Sequence, residues 1–107
     1  MLIFWSPHAR SLFAEILQTI AHERSLEDAI RWRVKIGNVV SLLDRLPEMG
    51  SAIPPECFFN APTDSNHLRQ TSCGPYRIVY EIVAEEVHIL SIRHSRMLIA
   101  GNDTAWN

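Results

Sequence analysis

The sequence predicts an α+β protein in which a hairpin of two helices packs on a small, mainly antiparallel sheet. Residues 7–46 contain two segments whose apolar residues recur every three or four positions, the spacing of one face of a helix. Residues 67–94 contain three short runs rich in β-branched residues and separated by turn residues, which is typical of strands. With a short apolar segment at 2–5, the predicted order is β-α-α-β-β-β in one domain that spans 1–107.

The first strand and the first helix are predicted at the start of the chain. Residues 2–5 alternate between two apolar faces, as a strand requires. Ser6 can then cap free amides and Pro7 stands where no donor is needed, so a helix begins there. Its apolar stripe comprises Ala9, Leu12, Phe13, Ile16, Leu17 and Ile20.

A second helix is predicted from Ser25 roughly to Leu46. Ser25 is an N-cap residue and two acidic residues follow it in the first turn. Gly37-Asn38 interrupts the helix at a cost of about 1 kcal/mol relative to alanine, so we expect a bend or a close helix approach there. Only about three residues link the helices, which predicts an antiparallel hairpin.

Residues 51–66 are predicted to form a long loop. They contain three prolines, no clear periodicity and the exposed-looking pair Phe58-Phe59. A loop of this length is either functional or held down by its own aromatic residues, and we expect Phe58 or Phe59 to pack on the sheet. Three strands follow at about 67–73, 76–83 and 86–94. The helices should cover one face of the sheet and leave the other for function.

Composition excludes several classes of protein. The formal charge of −2 and the pI of about 6.2 exclude binding to nucleic acid by overall charge, so any anion site must be local. The apolar start at 1–5 is too short for a signal peptide or a membrane span. Cys57 and Cys73 predict reduced thiols in the cytoplasm rather than a disulfide framework. We find no motif for a metal or a cofactor, and His8 and His22 are expected to be solvated.

The chain's most informative segment is 74–96, where three arginines, two tyrosines and two histidines accompany the apolar residues of two strands. If the turn at Ala84-Glu85 is even-numbered, Arg77 shares a face with His94, and Tyr76 shares the other face with Arg93. The basic groups are then split between the two faces unless a bulge intervenes. His88 is expected on the same face as His94.

Several motifs of the chain, taken in order, resemble the RelE/ParE superfamily of toxins from type II toxin–antitoxin pairs. They are Trp5-Ser-Pro-His-Ala9 at the first helix, Pro47-Glu-Met-Gly50 after the second, Leu68-Arg69, and Gly74-Pro-Tyr-Arg-Ile-Val-Tyr80 with the strand that ends in His94-Ser-Arg96. The scarcity of lysine and the acidic net charge favour the ParE-like branch over the ribonuclease branch. Ser95 and Met97-Leu98 depart from that branch's usual ending, His-Gly-Arg-Arg-Asp, so any function of the C-terminal segment is in doubt.

The resemblance implies a toxin that stops growth by poisoning DNA gyrase, without covalent chemistry of its own, and that a cognate antitoxin neutralises. The antitoxin would carry an acidic, partly disordered tail and could form a hetero-oligomer with the toxin. Its docking site would be the exposed apolar surface near the helices and Phe58 with Phe59. The residues expected to contact the target are Arg69, Arg77, Arg93, His94 and Arg96.

Two alternatives remain open at this point. In a RelE-like endoribonuclease acting on mRNA at the ribosome or alone, His94 would be the acid or base, the four arginines would bind phosphate, and Tyr76 or Tyr80 would stack on a base. Structural roles compete with these: His94 bonded to backbone at a strand end, Tyr80 in the core, and Arg69 and Arg77 paired with Glu81 or Glu86. The other alternative is a degenerate, non-toxic relative that only binds an antitoxin.

Overall fold

The computed structural model describes residues 1–107 and confirms the predicted α+β architecture. The helices are α1 (Pro7–Glu23) and α2 (Leu26–Leu42), and 3-10 turns lie at Pro55–Cys57 and Gly101–Asp103. The strands are β1 (Leu2–Trp5), β2 (Ser51–Ala52), β3 (Leu68–Cys73), β4 (Tyr76–Val83) and β5 (Glu86–His94). The sheet order is β1-β5-β4-β3-β2, with β1 parallel to β5 and every other pair antiparallel. The two-residue strand β2 lies in the segment predicted as a loop, so that part of the prediction was wrong.

Local signals start both helices where they were predicted. The Ser6 hydroxyl accepts from the Ala9 amide at 3.0 Å, and the Ser25 hydroxyl accepts from the Asp28 amide at 3.0 Å. The link between the helices is two residues long, and α2 ends at Leu42, four residues before the predicted Leu46. Nothing lies within 4 Å of the position that a Cβ on Gly37 would take, so the expected close approach is absent.

The main core lies between the helical hairpin and one face of the sheet, which we call the helix face. Its fully buried members come from both helices and from β4 and β5, so they join the two layers. They include Ala9, Ile36, Val40, Leu43, Ile78, Tyr80, Val87, Ile89 and Ile92.

A β-bulge in the β4–β5 hairpin decides which side chains share a face. Near the turn Tyr80 pairs with Ile89, whereas beyond it Val79 pairs with Ser91, so Leu90 is an extra residue in β5. The bulge shifts the register by one residue, and a shift of one residue moves side chains to the opposite face. The pairing predicted without a bulge was therefore wrong.

The opposite face of the sheet, which we call the second face, is covered by two segments of the chain itself. Its apolar residues Leu68, Val79 and Leu90 form a second core with Ile53, Phe58 and Ile99. The Phe59 amide donates to the Ile99 carbonyl at 2.9 Å, which ties the loop to the C-terminal segment. The expectation that this face would be left free was wrong, and the expected packing of one loop aromatic is confirmed for Phe58.

Two further expectations concern the cysteines and the membrane. Cys57 and Cys73 are both unpaired thiols, as predicted, and Cys73 is buried. Neither helix has the length and apolar character that crossing a bilayer would require.

Candidate functional site

Three of the candidate residues meet at the turn that follows β5. The Arg77 guanidinium donates to the carbonyls of Ser95 and Met97 at 3.1 and 3.2 Å. The His94 Nδ1 accepts from the Arg96 amide at 3.1 Å, which confirms the structural role expected for a histidine at a strand end. Arg96 itself is exposed and has no ion pair with any residue of the protein. We call Arg77, His94 and Arg96 the cationic end of the sheet.

Arg93 is held apart from this group by a buried carboxylate. Arg77 and Arg93 are direct partners in the hairpin and share the second face, whereas His94 pairs with Tyr76 on the helix face. The Arg93 Nη2 lies 3.1 Å from Asp103 Oδ1, and its Nε donates to both carboxylate oxygens. The charge of Arg93 is thus neutralised within the fold.

Asp103 is fully buried, and sequence reasoning missed it. His8 Nε2 lies 2.7 Å from its Oδ1, and the Ala100 amide donates to its Oδ2 at 3.0 Å. Burial acts to raise the pKa of Asp103, but the hydrogen bonds from His8, Ala100 and Arg93 and the Arg93 charge outweigh it and lower the pKa. His8 is therefore a partner of this carboxylate, and its predicted solvation was wrong.

Arg69 and Tyr80 form a separate group at the turn 47–50. The Tyr80 hydroxyl donates to the Pro47 carbonyl at 2.7 Å and accepts from the Gly50 amide at 2.9 Å. Burial raises the pKa of Tyr80, which confirms it as a core tyrosine. Arg69 donates to the Gly50 carbonyl at 2.6 Å. Both residues therefore fix a turn, and the predicted pairing of Arg69 and Arg77 with Glu81 or Glu86 was wrong.

The residues predicted for ribonuclease chemistry come together only in part. Arg77 and Arg96 lie near His94, and the ring centroid of Tyr76 lies 6.0 Å from that of His94. Tyr80 is four residues along β4 from Tyr76, the partner of His94, and that separation is about 13 Å in a strand. General acid–base catalysis requires its groups within hydrogen-bond reach of one reacting centre. The four arginines, His94 and Tyr80 are instead divided among the cationic end, the Arg93–Asp103 pair and the turn 47–50.

The positions of His88 and of Phe58 as a docking residue also differ from expectation, whereas His22 is exposed as predicted. His88 lies on the second face, not with His94. Its Nε2 lies 3.0 Å from Glu86 Oε1, and its ring centroid lies 4.8 Å from that of Trp106. Phe58 is buried in the second core, so it is not available for docking a partner. Phe59 is 72% exposed and remains available.

An exposed apolar groove lies between the two helices on the side away from the sheet. It has a volume of about 380 Å³ and is lined mainly by Leu17, Ala21, Leu26, Ala29 and Ile30, with Arg33 at its rim. Leu26 and Ile30 are exposed, although their neighbours are apolar. Contiguous apolar surface of this kind is typical of a docking site for an amphipathic segment.

Two helices on one face of a mainly antiparallel sheet, with a cationic end after the last strand, define a small α+β protein. The model of the family "ParE toxin of type II toxin-antitoxin system, parDE" matches residues 3–99. The chain therefore belongs to the ParE toxin family.

A solved structure supports the fold. A chain of the chromosomal ParDE TA system from P. aeruginosa is similar, with a TM-score of 0.70 and 18% sequence identity. The similarity covers 88% of this chain and 95% of that chain. No curated protein matches the sequence.

Proposed function

We propose that this ParE-family protein stops growth in the cytoplasm by poisoning DNA gyrase, and that a cognate antitoxin neutralises it. The observation that carries the proposal is the family match, which covers residues 3–99, from β1 to Ile99 in the second core. Arg69 and Tyr80 lie at the turn 47–50 and Arg93 is paired with Asp103, so only part of the predicted catalytic set lies near His94, which favours inhibition by binding over RNA cleavage.

The cationic end of the sheet is the surface that we propose for contact with the gyrase complex. Arg96 is exposed, and the Arg77 guanidinium holds the backbone of the turn that presents it. Of the other predicted contacts, Arg93 is paired with Asp103 and Arg69 lies at the turn 47–50. Arg93 therefore supports the surface from within the fold, whereas Arg69 fixes a turn away from it.

The groove between the helices is the surface that we propose for the antitoxin, together with Phe59. Its apolar lining suits the apolar side of an amphipathic helix. Arg33, which also lines the groove, would attract an acidic partner segment. A toxin–antitoxin hetero-oligomer follows if the antitoxin is itself oligomeric.

A supercoiling assay with purified gyrase tests the proposal. We expect the protein to inhibit supercoiling of relaxed plasmid and to increase the amount of cleaved DNA recovered after detergent. Gyrase that remains fully active at a large molar excess of folded protein would contradict gyrase poisoning. Cleavage of an mRNA in the same preparation, lost in His94→Ala, would support the endoribonuclease instead.

Arg96→Glu tests the proposed contact surface. Reversal of an exposed charge should leave folding within about 0.5 kcal/mol of the native protein, because Arg96 has no ion pair to lose. We expect inhibition of gyrase to fall at least tenfold. Arg45→Glu, at an exposed site after α2, is the matched control and should inhibit as the native protein does. Equal inhibition by the two variants would place the contact elsewhere.

A further inference from the structure

A cleft runs between α1 and the end of the sheet, and it adjoins the cationic end at His94. It consists of two adjoining cavities of about 330 and 230 Å³ that share Thr19, Tyr76 and His94 in their linings. The floor is apolar, from Ile16 and Ile92 in the first cavity to Ile20 and Trp32 in the second. Each cavity is large enough for one long side chain.

The rim of the cleft carries one carboxylate for each cavity. Glu15 lines the first cavity and Glu23 the second, on the α1 turns that flank Thr19. Neither glutamate takes part in any ion pair of the protein. An apolar floor below an unpaired carboxylate suits the lysine or arginine side chain, which has an apolar stem and a charged head.

His94 supplies a third contact between the two cavities. Its Nδ1 accepts from the Arg96 amide, so the proton of the neutral ring is on Nε2. An Nε2–H group that is free to donate can bind a backbone carbonyl of a segment lying in the cleft. The cleft thus offers two acceptors for cations and, between them, one donor for a peptide backbone.

The spacing of the carboxylates determines the sequence pattern of the ligand. Glu15 and Glu23 are eight residues apart on a helix, which is roughly 12 Å. An extended peptide covers this distance in about four residues, and side chains at positions i, i+2 and i+4 point the same way. We propose that the cleft binds an extended segment of a partner protein with basic residues at i and i+4 and an apolar residue at i+2.

This ligand differs from the acidic tail proposed for the antitoxin. Two carboxylates at the rim would repel such a tail, so the cleft belongs to a different partner or to a different stage of binding. Arg24 also lines the second cavity, and for that reason Glu23 should contribute less than Glu15. The Arg93 charge in the first cavity is already neutralised by Asp103.

Titration of the folded full-length protein with the blocked peptide Arg-Thr-Leu-Thr-Arg, followed by NMR, tests the proposal. We expect saturable shifts at Thr19, Tyr76 and His94, with affinity that weakens as salt is added. Glu15→Gln should weaken binding by up to about fivefold and Glu23→Gln by less, as for exposed ion pairs. Both side chains are exposed, so these variants should fold normally.

Glu56→Gln, in the loop, is the matched control and should bind as the native protein does. Three results would each overturn the proposal: no binding at millimolar peptide, equal binding of Glu-Thr-Leu-Thr-Glu, or unchanged affinity in the double Glu15→Gln, Glu23→Gln variant. Since the assay contains no gyrase, its failure would leave the proposed function untouched.

Discussion

At the scale of single residues, Asp103 shows how a side chain with no recognisable sequence pattern can organise a surface. Its carboxylate joins Arg93 in the sheet to His8 at the start of α1 and to the backbone of its own segment. A lone aspartate near a chain end is usually solvated, so the sequence contained no signal for this role. The same contact explains why Arg93, predicted to face the target, is instead internal.

Asp103→Asn should destabilise the protein by about 3 kcal/mol at pH 7. The substitution leaves the largely buried Arg93 without its counter-charge, and breaking one side of a buried pair typically costs about 3–5 kcal/mol. The lower end of this energy range applies because the Arg93 side chain is still partly exposed to water. Urea unfolding measures the change, and Asp64→Asn in the exposed loop should alter stability by less than about 0.5 kcal/mol. A loss similar to that of the control would show that the pair is not stabilising.

The stability of the protein should depend on pH through the ionisation of Asp103. The folded-state pKa of Asp103 is lowered, so its carboxylate contributes stability above the unfolded value of about 3.9. That contribution is lost as the pH falls through the folded value. We therefore expect the difference in unfolding free energy between native protein and Asp103→Asn to be constant from pH 5 to 7 and to shrink below about pH 4. A difference that grows on acidification would contradict the assigned charge state.

At the scale of secondary structure elements, periodicity and caps predict most of the fold but not its irregularities. Ser6 and Ser25 mark both helix starts, and all four predicted strands begin and end within one residue of the observed bounds. The bulge at Leu90 has no local sequence signal, because it depends on how the apolar residues of β5 fit two cores at once. Strand β2 was missed because two residues cannot show a period. The split of the site follows from these two features.

Two glycines give a matched test of the elements around the turn 47–50. A Cβ on Gly50 would lie 2.5 Å from the Tyr80 hydroxyl and 2.6 Å from the Gln70 carbonyl, so Gly50→Ala must displace the turn. We expect a loss of about 1–3 kcal/mol in the unfolding free energy, as for other overpacked sites. Gly37→Ala, with open space around it, should instead gain up to about 1 kcal/mol. Thermal or urea unfolding of both variants would contradict this account if they changed stability in the same direction.

At the scale of the whole molecule, the chain has two polar-rimmed apolar surfaces on its helical side and one cationic end. The groove between the helices and the cleft beside α1 lie on opposite sides of that helix and carry rims of different charge. The ParE family assignment explains the fold, whereas the division into three surfaces depends on this chain's own residues. Family resemblance predicted the fold correctly, but it could not show which arginines bind partners within the protein.

The measurement that tests the central claim most directly is brief induction of the protein in bacterial cells, with DNA and protein synthesis followed separately by labelled-precursor uptake. The proposed gyrase poisoning predicts that DNA synthesis falls first and that a DNA-damage response follows. A fall in protein synthesis before DNA synthesis would contradict it and make His94 the leading catalytic candidate. If neither falls while the protein is folded and abundant, the chain is a non-toxic member of the family.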